Sequence, residues 1–127
     1  MNIVWFKRDL RLFDSESVFR ALQSEEKVLF LYIFEPSLMN DYHYSQRHFD
    51  FIKQSLENIN QTLKLQNVEV LVVEEEAVSV FEKLNSEIKI NQIFSHQETG
   101  IKITYDRDKS FARYCKNNFI NWQENIK

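Results

Sequence analysis

The side chains able to do chemistry fall in a few short segments, each at the end of an apolar run. Lys7, Arg8, Asp9 and Arg11 follow Asn2–Phe6, and Glu35 and Pro36 follow Val28–Phe34. Glu74, Glu75 and Glu76 follow Val68–Val73, and Ser95, His96, Gln97, Glu98, Thr99 and Gly100 come at and after the end of a run that begins at Gln92. The first and fourth segments together offer cations on one side and a polar loop with a glycine on the other, the makings of a ligand crevice. Other chemistries fit less well. His43 and His48 are five residues apart rather than four and His96 is remote, so no metal site is expected. Ser95 and His96 are adjacent and cannot face each other as nucleophile and base.

Several of these residues also have a purely structural use. Lys7, Arg8 and Asp9 suit an ion-pair cluster closing a loop as well as they suit a ligand. The Glu74–Glu76 run favours the N-terminus of a following helix. Tyr42, Tyr44, Phe49 and Phe51 are able to stack a planar ligand, yet the phenylalanines sit in a helical pattern that points to core packing. Cys115, the single cysteine, reads as a small buried side chain; it excludes an intramolecular disulfide and fits a reducing compartment.

The elements that would position these groups follow from periodicity. Strands are expected at Asn2–Phe6, Val28–Phe34, Val68–Val73, Gln92–Ser95 and Phe119–Trp122, the second apolar on both faces like a central parallel strand. Phe49, Ile52, Leu56, Ile59 and Leu63 form one stripe along a helix over Ser45–Leu65, with Ser45 as its N-cap. Ala77, Phe81, Leu84 and Ile88 repeat the pattern, and Ser17–Leu22 and Tyr105–Lys116 supply two more helices, the former capped by Asp14 or Ser15. Strict β/α alternation predicts a doubly wound α/β domain with a five-stranded parallel sheet in the order 3-2-1-4-5. Ligands bind such sheets beyond the carboxyl ends of the strands, where the four segments lie.

Composition narrows the function classes. The 127 residues are the length of one domain, with a formal charge of −3, and the N-terminal MNIVWFKRDLR puts charges directly after a short apolar run, unlike a signal peptide or membrane span. The chain has one glycine, where average usage would supply about nine. That excludes a G-x-G-x-x-G fingerprint and a phosphate loop, each of which needs at least two glycines. Asn67, Asn91 and Asn117–Asn118 are expected to replace glycine at helix C-termini, asparagine being the next-best left-handed residue.

Taken in order, five segments resemble the N-terminal domain of the DNA photolyase and cryptochrome family. They are Val4-Trp5-Phe6-Lys7-Arg8-Asp9-Leu10-Arg11-Leu12 with Asp14, Phe34-Glu35-Pro36, Tyr44-Ser45-Gln46-Arg47-His48-Phe49, Ser95-His96-Gln97-Glu98-Thr99-Gly100 and Tyr105-Asp106-Arg107-Asp108. The resemblance spans nearly the whole chain. It implies that residues 1–127 are the α/β domain that positions a light-harvesting antenna chromophore. A C-terminal helical domain, absent from this chain, would hold FAD, the electron-transfer tryptophans and the surface for damaged DNA. Excited reduced flavin in a photolyase donates an electron to a pyrimidine dimer and splits it; cryptochromes use the same scaffold for light signalling.

On this reading the parent is a cytoplasmic photolyase, a lyase, and this chain alone is not catalytic. Its partner is the FAD domain, damaged DNA is met only through that domain, and no membrane is involved. Lys7, Arg8 and Arg47 would engage anionic or carbonyl groups of the chromophore, and Glu35 and Glu98 would accept its ring or ribityl hydrogens. His96 lies beside them, and the Thr99-Gly100 backbone would approach the ring. Ile103-Thr104-Tyr105-Asp106 replaces an Asn-Glu pair that many relatives use to hold a folate, which leaves a flavin, deazaflavin, lumazine or no antenna at all open beside a folate. A cryptochrome fragment is one alternative. A stand-alone nucleotide-binding domain like the universal stress proteins is another, although those rely on a Gly-rich loop.

Overall fold

The computed structural model describes residues 1–7, 20–21, 27–39, 46–64, 70–96 and 102–125. Its strands are β1 (Asn2–Phe6), β2 (Val28–Phe34), β3 (Val70–Glu74), β4 (Gln92–His96) and β5 (Asn121–Asn125). Its helices are α1 (Pro36–Met39), α2 (Gln46–Lys64), α3 (Ala77–Glu87) and α4 (Lys102–Asn117). Arg20 and Ala21 are helical as well; the rest of the helix expected over Ser17–Leu22, Ser45 and Asn67 lie outside the described residues. All five strands are parallel in the order β3-β2-β1-β4-β5, as the alternation predicts.

Strand periodicity divides the core in two. Val4 and Phe6 of β1 join Phe30, Tyr32 and Phe34 of β2 on one face, under the Phe49, Ile52, Leu56 and Ile59 stripe of α2. Ile3 and Trp5 join Leu31, Ile33 and Ile93 on the other, under Val80 and Phe81 of α3 and Phe111 and Cys115 of α4. Burial pushes the Cys115 thiol up to about 12, so it stays protonated as a small core side chain.

β3 is an edge. Its first N–H donates to Asn60 Oδ1 of α2 at 2.7 Å, which ties the start of the strand to the covering helix. Further along, Leu71 and Val72 stay 40% and 42% exposed, because only one side of this strand is paired.

The largest departure from expectation is at β5, which starts at Asn121 rather than Phe119. Phe119 has φ 57°, a left-handed residue that ends α4. The Ile120 N–H donates to the Cys115 carbonyl at 2.9 Å and the Phe119 N–H to that of Lys116 at 3.4 Å, the two bonds of a Schellman motif. Ile120 and Cys115 are buried in the same cluster, the apolar contact that accompanies the motif. The left-handed role expected of Asn117–Asn118 thus falls to Phe119. Asn118 instead donates its side-chain amide to the Tyr114 carbonyl at 2.9 Å. Asn91 is not left-handed either; its N–H donates to the Met1 carbonyl at 2.9 Å, joining the strand starts.

Smaller differences bear on the site. α4 begins at Lys102, three residues before the expected Tyr105, with Thr104 buried. β4 runs one residue further, so His96 is its last member. The short α1 was not expected; Pro36 suits its first position, where the missing N–H would go unused anyway. The Glu76 carboxylate accepts from the Ser37 N–H and hydroxyl at 2.9 and 2.8 Å, so this acid anchors α1 as well as preceding α3.

Candidate functional site

The same alternation that sorts the core delivers charged side chains to one corner of the sheet. Ile3, Trp5 and Lys7 share a face along β1, and Ile33 and Glu35 share it along β2, so both ionic side chains emerge on the α4 side. There α4 presents Arg107 and Asp108, one turn before buried Phe111. Lys7 Nζ donates to Asp108 Oδ1 at 3.1 Å and lies 4.0 Å from Glu124 Oε2 of β5. Arg107 donates from one terminal nitrogen to Glu35 Oε1 at 2.6 Å and from Nε to Asp108 Oδ1 at 3.0 Å. The result is one chain, Glu35–Arg107–Asp108–Lys7–Glu124, linking the ends of β1, β2 and β5 to a single turn of α4.

Aromatic rings wrap this chain. Lys7 Nζ is 4.7 Å from the Trp5 ring centroid and 5.1 Å from that of Trp122, and the Arg107 guanidinium carbon is 5.1 Å from Trp5. Trp5 meets Phe111 edge-on at 4.9 Å and Phe81 at 5.4 Å. Trp122 donates its indole N–H to Ser95 Oγ at 2.9 Å, which gives that fully buried hydroxyl a partner.

Burial of ions is expensive unless geometry compensates it. The side chains of Lys7 and Glu35 are only 3% and 2% exposed, and each has an opposite charge within hydrogen-bond reach. Glu124 is the open end of the chain. Burial pushes its carboxyl up, Asp108 pushes the same way, and Lys7 and Arg107 oppose them. Two cations therefore face three acids, with the most exposed of the acids, Glu124, at the end of the chain. Ion pairs packed against indole rings make this corner stiff.

The residues singled out from the sequence divide between the faces. Lys7 and Glu35 are joined through Asp108 and Arg107, their charges already engaged within the protein. His96 alternates with Ser95 and so shares the α2 face with Phe94. Arg47, exposed in the first turn of α2, belongs to that side too. Arg8, Glu98, Thr99 and Gly100 lie outside the described residues, as do Asp9 and Arg11. Sequence reasoning placed Ser95 with the Lys7 segment but missed Trp5, Trp122 and Glu124 as parts of the same corner. The period-2 spacing of Trp5 and Lys7 was a usable signal; nothing local marks Glu124 as their neighbour.

A parallel sheet in the order β3-β2-β1-β4-β5, with buried ions at its carboxyl edge around β1 where the order reverses, defines the class: a doubly wound α/β domain. The family model described as DNA photolyase matches residues 2–125, and the chain belongs to that family. Cryptochrome DASH, chloroplastic/mitochondrial, of Solanum lycopersicum is 28% identical over 103 residues, covering 76% of this chain and 18% of that protein. The deoxyribodipyrimidine photo-lyase of Vibrio cholerae is 37% identical over 68 residues, covering 54% and 14%. An archaeal photolyase from Sulfolobus tokodaii superposes with a TM-score of 0.86 at 23% identity, over 99% of this chain and 29% of that one. The chain thus spans under a third of the length of each of these proteins, and its fold is that of a photolyase N-terminal domain. No helix among the described residues is long and apolar enough to cross a membrane.

Proposed function

We propose that this domain holds a light-harvesting antenna chromophore at the carboxyl edge of its sheet. It would pass excitation to FAD in a helical C-terminal domain of the parent protein, which carries out light-driven pyrimidine-dimer repair in the cytoplasm. The observation that carries the reading is the rigid ionic corner of Lys7, Glu35, Arg107 and Asp108 around Trp5, since energy transfer requires a fixed dye orientation. The Sulfolobus tokodaii photolyase is described as holding two FAD molecules, with the implication of a novel light-harvesting cofactor, which supports a flavin at such a domain.

In this proposal Lys7 and Glu35 form the floor, their charges engaged by Asp108 and Arg107. Arg47 and His96, from the α2 face, would reach the polar edges of the chromophore across the carboxyl edge of the sheet; the same contacts are proposed for Arg8, Glu98 and the Thr99-Gly100 backbone, which lie outside the described residues. In this reading the chain by itself performs no chemistry, and recognition of the lesion in damaged DNA falls to the FAD domain.

Incubation with folate, flavin, deazaflavin or lumazine, followed by gel filtration, tests this. One of them is expected to co-elute as a near-ultraviolet or visible band, and His96→Ala or Arg47→Ala should weaken it with circular dichroism unchanged. Absence of a retained band with all four would overturn the antenna role.

A light-signalling cryptochrome is the second reading, favoured by the cryptochrome DASH and insect cryptochrome-1 relatives that match the chain. Illumination of the full-length parent with dimer-containing DNA separates the two: repair supports a photolyase, and its absence with intact flavin reduction supports a signalling protein.

A further inference from the structure

The outer face of α4 has no role in the antenna reading, and its charge is out of keeping with the rest of the chain. Lys102, Arg107, Lys109, Arg113 and Lys116 oppose Asp106 and Asp108, so this helix carries +3 while the whole chain carries −3. The remaining residues therefore total −6. Within α4 the charges are sorted by face. Arg107 and Asp108 turn inward to the ionic corner, while Lys102, Lys109, Arg113 and Lys116 are exposed. At 100° per residue these four fall on one stripe, about 21 Å long at 1.5 Å rise. Lys102 is paired with Asp106 at 3.3 Å. Lys109, Arg113 and Lys116 have no ion pair among the described residues.

Two aromatic rings accompany the stripe. Tyr105 is 59% exposed on the same side of the helix, with Lys109 Nζ 4.6 Å from its ring centroid. Phe119, at the far end, is 96% exposed and held in a left-handed conformation that disfavours its side chain. Free cations in a row beside exposed flat rings match what a single nucleic acid strand offers: phosphates at regular intervals and bases able to stack on any aromatic face. A lipid surface fits less well. Membrane-lying helices insert an apolar face, and the apolar face of α4 (Thr104, Phe111, Cys115) is already buried against the sheet.

We propose that the outer face of α4 binds single-stranded nucleic acid through Lys109, Arg113 and Lys116, with Tyr105 stacking a base. This interaction needs no chromophore, light or lesion, and it does not rest on the antenna reading.

Fluorescence anisotropy of a labelled 12-nucleotide oligothymidylate titrated with the protein at about 50 mM salt tests it. Binding is expected at about 10⁻⁴ M or tighter, falling roughly 20-fold by 200 mM salt, as three neutralised phosphates on a single strand require. Lys109→Glu with Arg113→Glu should abolish binding, and Tyr105→Ala should weaken it about tenfold. Lys27→Glu, an exposed charge reversal elsewhere, should change it by less than twofold. Unchanged circular dichroism would show that each variant is folded. No binding, binding indifferent to the α4 substitutions, or equal loss on Lys27→Glu would overturn the proposal. Equal affinity for polyglutamate or phosphatidylglycerol vesicles, with no effect of Tyr105→Ala, would overturn it in favour of a generic anion surface.

Discussion

The two faces of the sheet start alike and finish differently. Under α2, the strands contribute Val4, Phe6, Phe30, Tyr32, Phe34 and Phe94 to a cluster whose helix adds only Phe49 and aliphatic side chains. Under α3 and α4, Ile3, Trp5, Leu31, Ile33 and Ile93 make an equivalent cluster, but at its carboxyl end four buried or nearly buried ions replace hydrocarbon. An apolar cluster tolerates loss of one member by the lost transfer energy and a cavity. An ionic chain does not, because removing one charge strands its neighbour in a poorly solvating site. Ions therefore reach a core only where several elements converge to satisfy them.

The sharpest way to break this contrast is at Glu35. Glu35→Ala breaks the buried Glu35–Arg107 pair, leaving Arg107 to Asp108, and should cost up to about 3–5 kcal/mol in urea unfolding. Adding Arg107→Met should restore part of that loss, since the unbalanced charge goes with it; additive costs would show that the pair is not coupled. On the other face, Leu56→Ala should cost about 2–4 kcal/mol through transfer and cavity terms. Combined with Glu35→Ala, it should add within about 0.5 kcal/mol if the faces are independent.

A smaller effect lies at the foot of the same helix. Phe119→Gly should stabilise the domain by about 1 kcal/mol, measured as a rise in Tm, because glycine relieves the left-handed strain of the Schellman turn. If Phe119 also stacks a base, that variant should gain stability and lose affinity for the oligonucleotide.

The smallest effect concerns pH. The Glu124 carboxyl is raised in the fold, first by burial, so the native state holds its proton to a higher pH than the unfolded chain does. Between the ordinary carboxylate value and the raised one, the native state binds more protons, and this group's contribution to stability falls as pH rises. Its penalty is fully present above the raised value and relieved below the ordinary one. Glu124→Gln should flatten that part of the stability profile, measured by urea midpoints across the acidic range; an unchanged profile would place the titration elsewhere.

Much of this was legible in the residues. The apolar runs at Asn2–Phe6 and Val28–Phe34 and the Phe49–Ile59 stripe mark central strands and a covering helix, and their alternation along the chain predicts a doubly wound parallel sheet. Lys7 and Glu35 were legible as groups at strand ends. Their partners were not, since Arg107 and Asp108 lie 72 and 101 residues away along the chain from the groups they bind. The asparagine rule failed at the end of α4 for a related reason. Left-handed geometry falls where the helix runs out of register with β5, and the burial of Cys115 with Ile120 places that point at Phe119.

The sequence by itself therefore determined the class of fold, the family and the polar side chains at the strand ends, because these depend on periodicity and on side chains close together in the chain. Only the tertiary structure decided which of those side chains are free. Folding turned Lys7 and Glu35 inward into ion pairs and turned Arg107 and Asp108 with them. It left Lys109, Arg113 and Lys116 of the same helix facing solvent. The reason is geometric: 100° per residue sends neighbouring charges of α4 to opposite environments, and only the packed sheet says which environment is which.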